Sequence, residues 1–239
     1  MKRNDAELRR LAEASTGRVA RLELGGQTYW VKRREDLSLR MRLQKGDAAQ
    51  AFEAERDAYR ALARIGAPVP EIVAEGDGYF VTPDCGEMVS KILAEQSGTL
   101  ESRLKLFETV AVGLWAFHEK GVSHGRPSLK DICWDGARVR FLDFERYGEK
   151  RNTERGHAED LVMIVFNALA IAQKPCPEVD HLIETYRSLA PDAYWERARA
   201  LCKRMRWMDW ATKPIQMRRE GRAKEFKAIP LTLKAFAVR

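Results

Sequence analysis

The stretch from Val122 to Arg146 constrains the fold of this chain more than any other feature. Two short apolar runs flank Asp135-Gly136, a dipeptide typical of the two-residue turn of a β-hairpin. Asp131 precedes the first run and Asp143 follows the second, so a hairpin would bring the two carboxylates to one edge. Paired carboxylate oxygens suit a magnesium ion that also holds substrate phosphates. An ordinary polar loop with a turn is the alternative explanation of the same residues.

The composition fits a cytoplasmic protein without disulfides. The 239 residues are 45% hydrophobic and 32% charged, which allows one large domain or two lobes that share a cleft. No apolar run approaches the ~20 residues of a membrane span, and the first residues lack the apolar core of a signal peptide. The four cysteines lie far apart, and the four histidines show no metal-binding spacing, so we expect neither disulfides nor a zinc site.

Positive charge is concentrated in residues 197–224. The net charge of the chain is +7, and this segment contains 10 Lys or Arg and 2 acidic residues, a local charge of +8. Such a segment can contact an anionic membrane, a nucleic acid or a phosphorylated substrate. Because Trp207 and Trp210 lie within it, we expect this segment to contact an anionic partner, either the lipid headgroups of a membrane such as the inner membrane or a phosphorylated glycolipid. Ordinary amphipathic helices with solvated arginines are the alternative.

The N-terminal third predicts a small antiparallel sheet and one long helix. Gly25-Gly26 joins two strands, and the second strand points Lys32 away from the face that carries Val31. A lysine at this place is either a solvated edge residue or a phosphate ligand. The helix at 48–65 presents Glu55 among apolar residues, and Lys32 is the cation predicted to pair with it. Pairing of Glu55 with solvent or a neighbouring arginine is the alternative.

The remainder predicts a mainly helical lobe after Pro83, which ends the last strand of the sheet. Helices are predicted at 86–96, 100–120 and 158–172, with two or three more at 178–222. Large aromatic side chains dominate core burial, so Trp195, Trp207 and Trp210 are expected to anchor these last helices. The predicted fold class is α+β, with the sheet lobe at 1–82 and the helical lobe at 83–239.

The order of these features resembles the protein-kinase-like superfamily. A hairpin is followed by a strand lysine, a helix glutamate, a hinge, a helix, a His-Gly loop and Asp-Phe-Glu after a second hairpin. Within the superfamily, the chain looks most like the small bacterial lipopolysaccharide core kinases that phosphorylate Kdo or heptose. RIO-type and aminoglycoside-phosphotransferase-like kinases are more distant relatives. The segments that carry the resemblance are 29–32, 55–70, 117–125, 142–146 and 159–161.

The resemblance implies a two-lobed kinase-like fold that binds ATP and Mg²⁺ in its cleft. Lys32 would hold the α- and β-phosphates of ATP and would be fixed by Glu55. The backbone from Thr82 to Asp84 would be the hinge that meets adenine.

In the second lobe, the resemblance implies a metal site and a catalytic loop. Asp143 would bind Mg²⁺, and Asp131 stands where these kinases place the other metal ligand. His124 belongs to the catalytic loop, and Asp160 would orient that loop.

Two departures from the kinase pattern concern the residues nearest the chemistry. Gly17 is the one glycine near the position of the glycine-rich loop, within 15–18. Kinases place a catalytic aspartate two residues after the loop histidine, and here that position is Arg126, followed by Pro127. Arg126 therefore becomes a candidate catalytic residue together with His124 and Asp131.

The leading prediction is an ATP-dependent phosphotransferase that resembles the lipopolysaccharide core sugar kinases. A sugar or glycolipid acceptor fits the resemblance, while a lipid, a protein or a small molecule stays open as the acceptor. A pseudokinase that binds nucleotide without turnover is the alternative, since Arg126 replaces the usual aspartate. A nucleic-acid-binding protein is disfavoured, because it would explain the basic charge and leave the paired aspartates unexplained.

Overall fold

The computed structural model describes residues 2–34, 48–219 and 221–237. The chain divides into two units, the first formed by 1–85 with 143–145 and the second by 86–142 with 146–239. Residues 34–46 are charged and lack a clean hydrophobic period, which predicts a loop or a frayed helix; apart from Arg34, they lie outside the described residues.

In its described residues, the first unit contains a four-stranded antiparallel sheet and two helices. Its elements are α1 (Lys2–Ala14), β1 (Val19–Leu24), β2 (Gln27–Arg33), α2 (Ala48–Arg64), β3 (Ala74–Gly76) and β4 (Tyr79–Pro83). The strand order is β1-β2-β4-β3. Gly25 and Gly26 both have positive φ and form the predicted two-residue turn, across which Leu24 pairs with Gln27.

Side chains alternate across this sheet, so its two faces pack against different helices. Val31 of β2 is fully buried in a cluster with Leu8 of α1. On the opposite face, Phe80 of β4 packs against Tyr59 of α2, with ring centroids 5.3 Å apart. Lys32 also contacts α2, so the predicted division of Val31 and Lys32 between the two faces is confirmed.

The second unit is mainly helical and contains a three-stranded antiparallel sheet in the order β5-β6-β7. Its strands are β5 (Glu87–Met88), β6 (Ile132–Trp134) and β7 (Val139–Phe141). Its helices are α3 (Val89–Glu95), α4 (Leu100–His118), α5 (Glu154–Ala172), α6 (Pro177–Leu189), α7 (Asp192–Arg204), α8 (Trp207–Ala211), α9 (Lys213–Gln216) and α10 (Lys224–Ala237). Helix α6 packs along α4, and α5 packs against α7 and α10.

The predicted fold class is confirmed as α+β, with a small antiparallel sheet and a mostly helical remainder. This architecture is consistent with the two-lobed kinase-like fold that the resemblance implies. None of the helices in the described ranges contains an apolar stretch long enough for a membrane crossing.

The hairpin at β6 and β7 is present, but its turn is longer than predicted. Trp134 pairs with Val139, so the residues from Asp135 to Arg138 connect the strands, where the sequence predicts a two-residue turn. The Asp135 carboxylate accepts the backbone N–H groups of Ala137 and Arg138, at 2.9 and 2.8 Å. These two hydrogen bonds stabilise the longer loop and lower the pKa of Asp135.

The C-terminal region contains more helices than predicted. Helices α6 to α9 occupy the range where two or three are predicted, and α10 has no counterpart among the predicted helices. Pro230 lies inside α10, and a proline at an interior position usually ends a helix.

The tryptophans of this region divide into one buried and two exposed residues. Trp195 packs against Phe236 of α10, with ring centroids 5.0 Å apart, and is buried as predicted. Trp207 and Trp210 are 66% and 84% exposed, so the prediction that they anchor the helices is wrong. They belong to α8, a helix of five residues in which no side chain is buried.

Candidate functional site

Lys32 and Glu55 form an ion pair in the first unit. Lys32 Nζ lies 2.5 Å from Glu55 Oε1, and the side chains are 22% and 3% exposed, respectively. Burial raises the pKa of Glu55, Lys32 opposes this effect, and the nearby carboxylates of Asp143 and Glu145 add to it. The predicted pairing is therefore present, and the role of the pair at a nucleotide stays a prediction.

Helix α2 also holds the Asp-Phe-Glu segment. Tyr59 lies one turn after Glu55, and its hydroxyl accepts the backbone N–H of Asp143 at 3.2 Å. The ring of Phe144 packs edge-on against Tyr59, with centroids 5.0 Å apart. Asp143 has a φ of 62°, in the left-handed region that Asp and Asn adopt more readily than other side chains. One face of α2 therefore fixes both the strand lysine and the aspartate.

Sequence reasoning missed the role of Tyr59, although a signal for it exists. Tyr59 lies four residues after Glu55, and residues at this spacing share one face of a helix. Burial raises the pKa of Tyr59 well above its usual value, so its hydroxyl keeps its proton. A tyrosine on this inward face has a polar tip that needs a partner, and the Asp143 backbone supplies it.

The donor chemistry of this cluster fits Mg²⁺ and nucleotide phosphates. The Lys32 ammonium can donate to phosphate oxygens, and the Asp143 carboxylate supplies the hard oxygen ligand that Mg²⁺ prefers. Glu145 carries a further negative charge and pairs with Arg18, at 3.3 Å. The cluster therefore combines a partly buried lysine with several carboxylates, as a site for a metal–phosphate complex requires.

The predicted hinge residues are engaged in the sheet of the first unit. Thr82 pairs with Trp30 across β2 and β4. The Asp84 carboxylate accepts the Trp30 indole N–H at 2.6 Å, and the Asp84 backbone N–H donates to the Thr28 carbonyl at 3.0 Å. Gly17, with a φ of 92°, lies in a bend just before β1. The contacts of Gly17, Thr82 and Asp84 with a nucleotide stay predictions.

In the second unit, a buried carboxylate holds the His-Gly loop. Asp160 of α5 accepts the backbone N–H of His124 at 2.6 Å and that of Gly125 at 3.0 Å. Nε2 of the His124 ring lies 3.1 Å from the Leu142 carbonyl, so this nitrogen carries the proton and donates it. The orienting contact that the resemblance implies for Asp160 is present. The buried His124 ring points at backbone, and its predicted catalytic role stays untested.

The backbone around Arg126 is held on both sides. Gly125 has a φ of 96°, and a Cβ at this position would lie 2.4 Å from the Arg146 carbonyl oxygen. Only glycine fits such a conformation and such a close approach. Pro127 is buried, whereas Arg126 between them is exposed. The Arg126 side chain therefore extends from a rigid part of the loop.

Asp131 lies at the open end of the hairpin. It ends a short 3₁₀ turn at Leu129–Asp131, and its carbonyl accepts the backbone N–H of Leu142 at 2.7 Å. Leu142 directly precedes Asp143, so the antiparallel arrangement behind the sequence prediction is present. Within the described ranges, no group of three His, Cys, Asp or Glu side chains could hold a metal. The predicted metal-binding roles of Asp131 and Asp143 stay untested.

Two histidines that sequence reasoning did not single out pack behind the loop. The rings of His118 and His157 stack, with centroids 4.4 Å apart, and His118 Nδ1 lies 2.6 Å from the Tyr186 hydroxyl. The Ser123 hydroxyl donates to a backbone carbonyl, so its oxygen accepts a hydrogen bond from His157 Nδ1 at 2.9 Å. Burial lowers the pKa of His118 to about 3 and that of His157 to about 4. Burial also raises the pKa of Asp160 to about 6.

These shifts predict a loss of stability in acid. Below pH 6.5, the ordinary pKa of histidine, His118 and His157 bind protons in the unfolded chain but stay neutral in the folded protein. The free energy of unfolding therefore decreases as the pH is lowered. Asp160 acts in the opposite direction between about pH 6 and 3.8, because the folded state holds its proton more tightly. Two histidines outweigh one aspartate, so unfolding takes up about one proton net and stability falls as the pH drops from about 6 to 4.

Urea unfolding at a series of pH values measures this slope. His118→Gln should flatten the loss between about pH 6 and 4, because one of the two buried histidines no longer takes up a proton on unfolding. His181→Gln, at a partly exposed position on α6, should keep the slope of the parent. An unchanged slope in His118→Gln would show that His118 does not govern the acid response.

Comparisons with known proteins find partial relatives. No family model matches the chain. It is 32% identical over 135 residues to an uncharacterized protein of Haemophilus influenzae, a match that covers 56% of each chain. It is 25% identical over 178 residues to a probable bifunctional tRNA threonylcarbamoyladenosine biosynthesis protein of Haloquadratum walsbyi, covering 74% of this chain and 32% of that protein. The chain thus spans about half and about a third of the length of these curated relatives.

A comparison with solved structures matches the co-crystal structure of WbdD and the kinase inhibitor LY294002. The TM-score is 0.46 at 13% sequence identity, and the match covers 74% of this chain and 45% of that chain.

Proposed function

We propose that the chain is an ATP-dependent phosphotransferase of the kinase-like type. The observation that carries the proposal is the double role of α2, which holds Lys32 through Glu55 and Asp143 through Tyr59. Phosphoryl transfer depends chiefly on positioning and on neutralising charge around the transferred group. A lysine and an aspartate fixed by one helix face are suited to that task.

In this proposal, each residue near the cluster has a defined part. Lys32 binds the α- and β-phosphate oxygens of ATP, while Asp143 and Asp131 are the candidate ligands of Mg²⁺. The metal, when bound, supplies charge neutralisation at the phosphates. The backbone at 82–84 meets the adenine, and Gly17 lies near the phosphates.

The acceptor that we favour is the hydroxyl group of a sugar or glycolipid. This choice follows the resemblance to the lipopolysaccharide core kinases in the segments around Lys32, Glu55, His124 and Asp143. Phosphorylation of Kdo- or heptose-containing acceptors by the purified protein would test it directly.

A specific residue favours a second candidate, a pseudokinase that binds nucleotide without turnover. Arg126 stands where kinases carry the catalytic aspartate, and the loss of a general base typically slows a reaction about 10²- to 10⁴-fold. Binding and turnover must therefore be measured separately.

Calorimetric titration with ATP, with and without Mg²⁺, tests the binding site. Lys32→Met should weaken Mg-ATP binding about tenfold to a hundredfold, because it removes a charged hydrogen-bond donor to phosphate. Asp143→Asn should reduce the gain in affinity that Mg²⁺ provides, since an amide is a poorer ligand for this ion. Asparagine tolerates the left-handed backbone at this position, so the substitution tests the carboxylate without adding strain.

Matched controls separate binding from folding. Lys105→Met and Asp77→Asn change exposed residues of the same types and should bind Mg-ATP like the parent. Lys32→Met leaves the buried Glu55 without its cation, so thermal unfolding without nucleotide should accompany each titration. If folded Lys32→Met and Asp143→Asn both bind Mg-ATP like the parent, the proposed site is wrong.

A further inference from the structure

We propose that residues 203–219 form a docking surface for an anionic lipid bilayer. This basic-aromatic segment comprises α8, α9 and their flanking residues, all in the second unit. It contains six Lys or Arg residues and a single acidic residue, Asp209. The proposal is independent of nucleotide binding, because it concerns a surface that the phosphotransferase site does not use.

The apolar side chains of the segment are exposed to an unusual degree. Trp207 and Trp210 are 66% and 84% exposed, and Met217 is 82% exposed. Neither α8 nor α9 buries any residue. Soluble proteins rarely present several large apolar side chains together on their surface without a partner. Tryptophan is enriched at membrane–water interfaces, where its ring is shielded from water and its N–H stays hydrated.

The cations of the segment are available for anionic headgroups. Lys213 lies 3.6 Å from Asp209. Within the described part of the chain, no carboxylate pairs with the segment's other five cations, Lys203, Arg204, Arg206, Arg218 and Arg219. A Lys or Arg close to an anionic membrane surface contributes about fivefold to partitioning. The segment is therefore complementary in charge to a bilayer that contains anionic lipids.

An apolar groove adjoins the segment, and side chains of the segment form part of its lining. Met205 and Met208 line this groove, whose volume is about 320 Å³, together with Phe166 of α5 and Phe226 of α10. Nucleic acid would also attract the cations, and tryptophan can stack on bases. Met217 and the groove, in contrast, gain only from an apolar medium, and for this reason we favour the bilayer.

Vesicle co-sedimentation of the full chain tests the proposal. Vesicles of phosphatidylcholine alone are compared with vesicles of phosphatidylcholine and phosphatidylglycerol in equal parts. We expect binding to the anionic vesicles at low salt, weaker binding at physiological salt, and little binding to neutral vesicles. The double variant Arg204→Gln/Arg206→Gln should bind about 25-fold more weakly, at about fivefold for each charge. Trp207→Ala/Trp210→Ala should lose about tenfold or more and should abolish any blue shift of tryptophan fluorescence on vesicle binding.

Two control variants change exposed cationic or apolar residues outside the segment. Lys105→Gln/Lys120→Gln removes two exposed cations, and Val112→Ala/Leu189→Ala truncates two exposed apolar side chains. Both should bind vesicles like the parent. The proposal is overturned by equal binding to neutral and anionic vesicles, by no binding to either, or by equal losses in the control variants. Tight binding of single-stranded RNA without vesicle binding would identify a nucleic-acid surface and would likewise overturn it.

Discussion

Asp160→Ala is expected to destabilise the protein by about 3–5 kcal/mol. The substitution leaves the buried backbone N–H of His124 and the partly buried one of Gly125 without an acceptor, and each such loss costs about 1–3 kcal/mol. The Oδ2 atom of Asp160 also lies 3.5 Å from His118 Nε2, so the stacked histidines lose a polar neighbour. Urea unfolding at neutral pH measures the change in the free energy of unfolding.

Asp160→Asn and Glu159→Gln distinguish the effect of the Asp160 carboxylate from the effect of changing any acidic residue on this helix. The side-chain oxygen of asparagine can accept a hydrogen bond from one of the two loop N–H groups, whereas its NH₂ group cannot accept one from the other. The stability of Asp160→Asn should therefore lie between that of the parent and that of Asp160→Ala. Both substitutions remove a charge that burial disfavours, and this offsets part of the loss in each. Glu159 pairs with Arg155 at the surface, so Glu159→Gln should change stability by less than about 1 kcal/mol.

Amide hydrogen exchange shows whether Asp160 positions the loop. In Asp160→Asn, the His124 and Gly125 amides should exchange faster relative to the rest of the second unit, because their acceptor is weakened. Glu159→Gln should leave both amides as protected as in the parent. If Asp160→Ala unfolds like the parent and both amides stay protected, Asp160 does not hold the loop.

The sequence predicted the first unit well, because its signals are local and periodic. The alternation along β2 separates Val31 from Lys32, and the helical spacing of α2 places Glu55 inward. A buried acid needs a cation, and the lysine on the facing strand is the natural candidate. The pair at 2.5 Å follows from these two periodicities. The hydrogen bond from Asp143 to Tyr59 joins residues that are more than 80 positions apart in the sequence, and no local sequence pattern predicts such a contact.

The C-terminal region was predicted less well, because two usual expectations fail there. A proline usually indicates that a helix ends, but α10 continues past Pro230 and buries Ile229 and Phe236 against the rest of the unit. A tryptophan usually indicates a buried position, but Trp207 and Trp210 lie on a five-residue helix in which no side chain is buried. Composition alone cannot distinguish an aromatic residue of the core from one on an exposed surface.

Arg126 has the largest expected effect on nucleotide chemistry. Gly125 and Pro127 hold its backbone, so the side chain extends from a rigid part of the loop. A guanidinium can bind two phosphate oxygens at once, which a lysine cannot do with the same geometry. In the proposed function, Arg126 would therefore neutralise negative charge on the nucleotide phosphates.

Arg126→Ala is expected to weaken Mg-ATP binding about tenfold to a hundredfold, because one charged contact to phosphate is lost. It should not restore an ordinary kinase rate, since alanine supplies no general base. Arg126→Lys should recover part of the affinity, because it keeps the charge and loses the paired donors. Arg138→Ala, which removes an exposed arginine from the β6–β7 loop, is the matched control and should behave like the parent.

Turnover of ATP by Arg126→Asp decides between the two candidate functions. A general base typically contributes about 10²- to 10⁴-fold to the rate, so an aspartate at this position could create a turnover that the parent lacks. That result would identify the native protein as a pseudokinase. If the parent turns over ATP and Arg126→Asp is slower, Arg126 belongs to the machinery of an active transferase, because the arginine then does more for the transition state than a base would. Unchanged affinity and turnover in Arg126→Ala would remove Arg126 from the phosphate site altogether.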